Sequence, residues 1–357
     1  MKLQFKLNYF AILGAAITVA VIFAVSGCSK ESATEPPNPE DTLTRLLQPT
    51  FALVVSDTTG ARVLSVGAPG EWDQNGVWWP SVIQDGDTLR MWFTGFDNND
   101  VARIGYAWSL DGQNWHKYAG NPVLSASLSW ERDDVGECEV IKDGTTFKMW
   151  YGAGAIGDPT HKKIGYATSS DGINWTKHAD AVMETGPAGS WEDQRISVST
   201  VLKEDGAYKM WYNGGTGPWS TNNQSATGYA TSSDGISWSK QGRAIRRGAA
   251  GQWDSQRAWG AVVVKVSSDL LANTYDRYEM VYSGADAPVT TQWLGYASSQ
   301  DGETWAKSGD NPIVNTHPGF GSNYYSSELL KFNGEYHLWF TSWNSSFGQI
   351  GYAKGTR

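Results

Sequence analysis

Residues 149–177 read MWYGAGAIGDPTHKKIGYATSSDGINWTK. Two short runs of apolar and aromatic residues, Met149-Trp150-Tyr151 and Ile164-Gly165-Tyr166-Ala167, flank a polar stretch containing glycine and proline. Runs of this length and composition favour β-strands. The second run leads into Ser169-x-Asp171-Gly172-x-x-Trp175, and Asp-Gly between apolar runs is a strong hairpin signal because both residues tolerate positive φ. Upstream, Asp143-Gly144 closes another hairpin behind Glu137–Lys142. The stretch therefore predicts four antiparallel strands: Glu137–Lys142, Phe147–Tyr151, Lys163–Ser169 and Trp175–Lys177.

The same unit is written five times. Gly-Tyr-Ala recurs at Gly105, Gly165, Gly228, Gly295 and Gly351, and all but the last copy lead into Ser-x-Asp-Gly-x-x-Trp. Each copy follows an apolar triplet: Met91-Trp92-Phe93, Met149-Trp150-Tyr151, Met210-Trp211-Tyr212, Met280-Val281-Tyr282 or Leu338-Trp339-Phe340. Trp72, Trp130, Trp191 and Trp253, each followed by an acid, open the first four units, with Phe320-Gly321 in the fifth. A repeat of about 60 residues built from four strands predicts an all-β fold, a five-bladed β-propeller with four-stranded antiparallel blades. The fifth unit stops after its third strand, and the segment Phe51–Val66 is expected to supply the fourth and close the ring, which removes an exposed sheet edge. The loops between second and third strands are long and varied. They share one face with the starts of the first strands, and that face is where a site is expected.

Composition narrows the function. The net charge is −9, with 28 basic and 37 acidic residues, which argues against a nucleic-acid partner. Charged residues make up only 18% while aromatics reach 13%, which excludes a disordered chain or a coiled coil. At the N-terminus Lys2 and Lys6 precede an apolar run from Tyr9 to Val25, laid out as a secretory signal. Val25-Ser26-Gly27-Cys28 resembles the bacterial lipobox, which implies cleavage after residue 27 and lipidation of Cys28. Residues 28–48 then form a Pro-rich tether, and residues 49–357 the propeller. This predicts an extracytoplasmic protein, lipid-anchored to the outer membrane or cell surface and monomeric, with Cys138 a lone thiol.

The five units, with MWY strands followed by GYA-x-S-x-DG-x-x-W, resemble the five-bladed propeller of glycoside hydrolase families 43 and 32. The resemblance covers Phe51 to Arg357. It implies hydrolysis of a glycan by carboxyl groups at the mouth ends of the first three inner strands. Residue by residue the match is incomplete. Trp79 stands where the first acid is expected, Glu139 matches the second, and Ser197 lies where the third would fall. Glu137-Cys138 is similar to a Glu-Cys pair of family 32, there carried on the third blade. A non-catalytic relative, or one using acids from other blades, fits these departures.

Four acids are candidates for catalysis: Glu137, Glu139, Glu328 and Asp134. Closely spaced carboxylates raise one another's pKa and can keep one member protonated. The cluster around Asp133, Asp134, Glu137 and Glu139 also offers oxygen ligands of the kind calcium takes; no other cofactor or metal is expected. For a sugar substrate, flat aromatic faces suit stacking, which selects Trp79, Trp219, Trp259 and Tyr324. Arg195 and Arg257, each in Trp-x-x-Gln-Arg, are placed to clamp a carboxylate, or else to pair with Glu192 and Asp254. Trp108 reads as packing, and the repeat acids Asp73, Glu131, Glu192 and Asp254 as structural. The expected partner is an oligo- or polysaccharide. A protein-interaction scaffold is the other class that this fold serves.

Overall fold

The computed structural model describes residues 50–53, 62–154, 163–216, 225–270, 273–286, 291–313, 323–332, 334–343 and 348–356. The signal segment, Cys28, the tether and Trp219 lie outside the described residues. The described chain is almost wholly β-structure, as the repeats predict. Two N-terminal strands, β1 (Thr50–Leu53) and β2 (Arg62–Leu64), precede the units. The first unit is β3 (Gly76–Asp85), β4 (Thr88–Phe96), β5 (Ala102–Ser109) and β6 (His116–Lys117). The second is β7 (Val135–Asp143), β8 (Thr146–Ala153), β9 (Lys163–Ser169) and β10 (Thr176–Lys177), preceded by one 3₁₀ turn at Ser129–Glu131. The third is β11 (Arg195–Glu204), β12 (Ala207–Gly215), β13 (Ser225–Ser232) and β14 (Ser239–Ile245). The fourth is β15 (Arg257–Leu270), β16 (Asn273–Ala285), β17 (Trp293–Ser299) and β18 (Ala306–Lys307), and the fifth is β19 (Asn323–Phe332), β20 (Glu335–Trp343) and β21 (Gly348–Thr356).

Within each unit consecutive strands pair antiparallel. The fifth unit takes its outer strand from the N-terminal segment. Both β1 and β2 pair antiparallel with β21, through Leu53↔Ala353 and Arg62↔Gly351 among others. Hydrogen bonding does not keep the units as separate four-stranded sheets. Gly348↔Gly76 joins the fifth unit to the first, and Ser225↔Arg257 with Ala226↔Ala258 joins the third to the fourth, both as short parallel contacts. Three sheets of nine, four and eight strands result. The cause is local: where two units converge, the start of a third strand meets the start of the next unit's first strand. The innermost strands pack in succession, β3 on β7, β7 on β11, β11 on β15, β15 on β19 and β19 on β3.

The core lies between units, and the repeat residues build it. Trp92, Trp150, Trp211 and Trp339 are wholly buried. Each donates its indole N–H to a turn glycine of the following unit: Trp92 to Gly172 at 2.7 Å, Trp150 to Gly235 at 2.7 Å, Trp211 to Gly302 at 2.9 Å and Trp339 to Gly112 at 2.8 Å. Gly172 has φ 79°, and a Cβ there would sit 2.8 Å from the Trp92 ring, so both conformation and space demand glycine. The fourth unit has Val281 in place of this Trp and cannot make the contact. Its join to the fifth rests on a single parallel bridge, Gln292↔Asn323, and on an apolar cluster that includes Val262, Val281, Leu294, Leu329 and Leu338.

The repeat acids have a shared structural task. Lys117, Lys177, Lys240 and Lys307, each in its unit's outer strand, form ion pairs with Asp73, Glu131, Glu192 and Asp254. Tyr151 and Tyr282 add hydroxyl hydrogen bonds to Glu131 and Asp254 at 2.7 and 3.1 Å. This pairing ties the segment before each inner strand to the edge of its own unit. Trp108 departs from its packing assignment. It is 38% exposed, with its ring 4.5 Å from that of His116 on the neighbouring edge strand.

Candidate functional site

Every innermost strand carries a bulge at the same step. Register with the following strand slips between Trp78 and Ser81, Gly136 and Glu139, Val198 and Thr200, Trp259 and Val262, and Ser326 and Glu328. A bulge bends its strand and re-aims the side chains beside it. In three units one bulge residue is left-handed: Trp79 at φ 46°, Glu137 at φ 47° and Gly260 at φ 61°. Only glycine enters that region without steric cost. The preceding unit fixes each one. Trp79 N–H donates to Thr341 Oγ1 at 2.8 Å, Glu137 N–H to Thr94 Oγ1 at 2.9 Å and Gly260 N–H to Asn213 Oδ1 at 2.6 Å. The second unit has Gly152 at the position of these acceptors, and the bulge of β11 contains no left-handed residue.

Just beyond the bulge, a second set of side chains joins the units. Val82 N–H donates to Glu328 Oε2 at 3.1 Å, Val140 N–H to Ser81 Oγ at 3.0 Å, Val201 N–H to Glu139 Oε1 at 3.2 Å and Val263 N–H to Thr200 Oγ1 at 3.1 Å. The fourth unit has Val262 here, which accepts nothing, and Leu329 N–H turns to Oε1 of Glu328 at 2.9 Å. Glu139 and Glu328 are therefore two members of a repeated joint, equivalent in position to Ser81 and Thr200. Burial, then proximity to Glu328, pushes the Glu139 carboxyl well above the usual carboxylate range. Burial likewise raises Glu328, to about 8, against the pull of the Val82 and Leu329 amides. The Ser81 side chain hydrogen-bonds with both.

The bulge residues, not the joint residues, face a cavity. It is narrow, about 20 Å³, and draws lining from all five units, among them Trp79, Glu137, Asn213, Trp259 and Tyr325. Trp259 donates its indole N–H to Gln292 Oε1 at 2.9 Å, and its ring meets Tyr325 edge-on at 5.6 Å. Trp79 stands edge-on to Trp78 at 5.0 Å. A smaller cavity of about 10 Å³ adjoins, lined by Trp79, Glu137 and Asp134 among others. Asp134 accepts the Ala102 N–H at 2.8 Å, which ties the second unit to the first. Among the described residues no group of three His, Cys, Asp or Glu is arranged to hold a metal ion.

Two arginines stand behind the mouth. Arg195 and Arg257, at the starts of β11 and β15, are both 4% exposed. Arg195 donates from Nη2 to Ser225 Oγ at 2.6 Å. Burial, then the like charge of Arg257, lowers its pKa to about 10, while Glu137 acts the other way. Burial also lowers Arg257, and the nearby Tyr325 opposes this. The structure thus brings Glu137, Trp79, Trp259, Arg195 and Arg257 to one region. Tyr324 is fully buried and packs on Phe340 in the core, because neighbouring strand residues point to opposite faces; Tyr325 is the one at the mouth. Asn213 was not expected at this site. Its signal was available in register, since it occupies the place of Thr94 and Thr341 in the second strand of its unit.

The sequence matches the Glycosyl hydrolases family 32 N-terminal domain over residues 66–195. An uncharacterized protein of Mycobacterium tuberculosis is 29% identical over 199 residues, 53% of this chain and 62% of that protein, so the chain spans less than two thirds of its length. A glycosyl hydrolase from Bacteroides ovatus superposes with a TM-score of 0.60 at 16% identity, covering 79% of this chain and 84% of that one. The β-1,2-mannobiose phosphorylase of Listeria innocua superposes with a TM-score of 0.61 at 13% identity, covering 85% and 96%. The chain resembles the glycoside hydrolase propellers both in its sequence repeats and in its fold.

Proposed function

We propose that this is a surface-anchored carbohydrate-active protein: the five units are blades around one axis, closed by the N-terminal segment, and their mouth takes an oligo- or polysaccharide. Glycan binding is the reading that the geometry supports best. One observation carries it: Trp79, Trp259 and Tyr325, from three different units, surround a cavity with Glu137 and Asn213. Aromatic faces hold the apolar faces of sugar rings, and a few polar groups fix the hydroxyls. Of the four candidate acids, Glu137 alone is among the residues that line this larger cavity, while Glu139 and Glu328 bond to neighbouring backbone. Hydrolysis is the second reading. It is favoured by the left-handed conformation of Glu137, since strain of this kind gathers at reactive sites. In this reading the protein is a monomer, exported and held at the bacterial surface through lipid on Cys28.

A glycan array run beside hydrolysis assays on arabino-, xylo-, fructo- and uronate oligosaccharides tests both readings. Binding without turnover, weakened by Trp259→Ala, supports the first. Turnover abolished by Glu137→Gln supports the second. Neither binding nor turnover on any glycan would leave the scaffold class. Labelling with a fatty-acid precursor, lost in Cys28→Ala, tests the anchor.

A further inference from the structure

We infer that the seam between the third and fourth units holds an anionic substituent of the bound glycan. This rests on the carbohydrate reading above and extends its mouth sideways. On the third-unit side of the seam lies a cavity of about 210 Å³ lined by Ser190, Trp191, Thr216, Ser225, Arg243 and Arg247. Its arginines come from an unusual edge strand. β14 runs over seven residues, Ser239–Ile245, whereas β6, β10 and β18 are two residues each. The extension places Arg243 with its guanidinium 5.1 Å from the Trp191 ring centre. Arg247, just past the strand, donates to the Ser255 carbonyl at 3.2 Å.

The cavity is continuous in chemistry with the mouth. Ser225, on its wall, accepts the hydrogen bond from Arg195 and pairs across the parallel contact with Arg257. Arg195 also interacts with Glu137, so one guanidinium connects the two places. Arg195, Arg243, Arg246, Arg247 and Arg257 thus gather along one seam of a chain whose net charge is −9. They repel one another: Arg246 and Arg247 act on Arg243, and Arg257 acts on Arg195. Glu192, which Lys240 engages at 3.2 Å, acts on Arg243 in the opposite sense, as Glu137 does on Arg195, so the two acids offset part of the repulsion. A bound anion relieves this repulsion, and the forked donors of arginine match a carboxylate or sulfate in paired hydrogen bonds. A saccharide at the mouth would direct the charged group of a neighbouring sugar to this seam.

The test is calorimetric titration of the full-length protein with galacturonate oligosaccharides, a sulfated galactan oligosaccharide and neutral galactan oligosaccharides of equal length. An anionic oligosaccharide should bind roughly tenfold or more tightly than the neutral one at low salt, the worth of one charged hydrogen bond. That preference should shrink as salt rises. The two anionic arms distinguish carboxylate from sulfate. In Arg243→Gln/Arg247→Gln, whose side chains lie outside the core, the preference should fall towards one; Arg195→Lys checks the buried member, with circular dichroism as the control for folding. Neutral and anionic oligosaccharides binding equally well would overturn this inference and leave the carbohydrate reading standing. Binding of no oligosaccharide would remove both. Acetate or sulfate alone binding as tightly as the charged oligosaccharides would also overturn it, because the site would then serve a free anion.

Discussion

Trp339 and Gly112 lie 227 residues apart, yet the indole N–H of one meets the carbonyl of the other at 2.8 Å inside the core. The contact repeats the Trp92–Gly172 joint, so the fifth unit meets the first as the first meets the second. Trp339→Phe keeps most of the packing and loses the hydrogen bond, and should cost about 1 kcal/mol. Trp339→Ala also opens a cavity and should cost roughly 3–5 kcal/mol. Denaturant titration measures both. Equal losses in the two variants would show that the hydrogen bond, and not the ring, carries the joint.

The join between the fourth and fifth units is built differently. Val281 replaces the tryptophan donor and Val262 replaces the polar acceptor, so neither type of joint bridges it among the described residues. Beyond one backbone hydrogen bond, from the Tyr324 N–H to the Gln292 carbonyl at 3.2 Å, this join rests on an apolar cluster, which is non-directional. Amide hydrogen exchange should therefore find Leu329 and its neighbours in β19 less protected than Val82 in β3 or Val140 in β7. Uniform protection across the five inner strands would sink this expectation.

Much of this was legible in the sequence because it is repeated. In the second unit, the expected strand Lys163–Ser169 matches β9 in both ends, and Glu137–Lys142 falls within β7. The N-terminal completion of the fifth unit was legible from the missing fourth strand. The site was harder. A bulge inverts which side chains face the mouth, and nothing in the string Gly136-Glu137-Cys138-Glu139 marks where it falls. Glu137 and Glu139 looked alike as acids of an inner strand, yet one lines the cavity and the other accepts the Val201 N–H. For the same reason the sequence points to Tyr324, while its neighbour Tyr325 is the one that lines the cavity. Lining up Ser81, Glu139, Thr200, Val262 and Glu328 by register exposes the joint, whereas their chemistry alone suggests catalysis.

The two buried carboxyls and one buried imidazole should shape stability against pH. Glu328 titrates near 8 in the fold against an ordinary 4.5, so between those values the folded state binds more protons than the unfolded. Stability should fall as pH rises through that window, with Glu139 acting in the same direction. His337 is buried beside Tyr352 and is lowered from 6.5 to about 4, first by burial and then by Lys354. Here the unfolded state binds more protons, so stability should fall as pH drops from 6.5 towards 4. The two windows overlap between about 4.5 and 6.5, where the effects oppose one another, so melting curves across pH 4–9 should show a decline above 6.5 that belongs to the carboxyls alone. Glu328→Gln should flatten the limb above 6.5, whereas His337→Gln should leave it unchanged and alter only the limb below 6.5. A limb unchanged by its substitution would remove that residue from the account.

Glu137 occupies a backbone position that glycine fills in the fourth unit. Its φ of 47° is close to the 61° of Gly260, and its N–H is held by Thr94 as that of Gly260 is held by Asn213. A non-glycine residue in this region carries strain of order 1 kcal/mol or more. Glu137→Gly relieves that strain and leaves the amide hydrogen bond in place. The variant should therefore be more stable by about 1 kcal/mol while losing most of its affinity for, or turnover of, any glycan the protein accepts. Glu137→Gln keeps the side-chain length and the strain, and should lose function with little change in melting temperature. The pair of measurements separates the backbone from the carboxylate. If Glu137→Gly proved less stable than the parent, the side chain's contacts would outweigh the strain, and Glu137 would be a structural residue of the mouth.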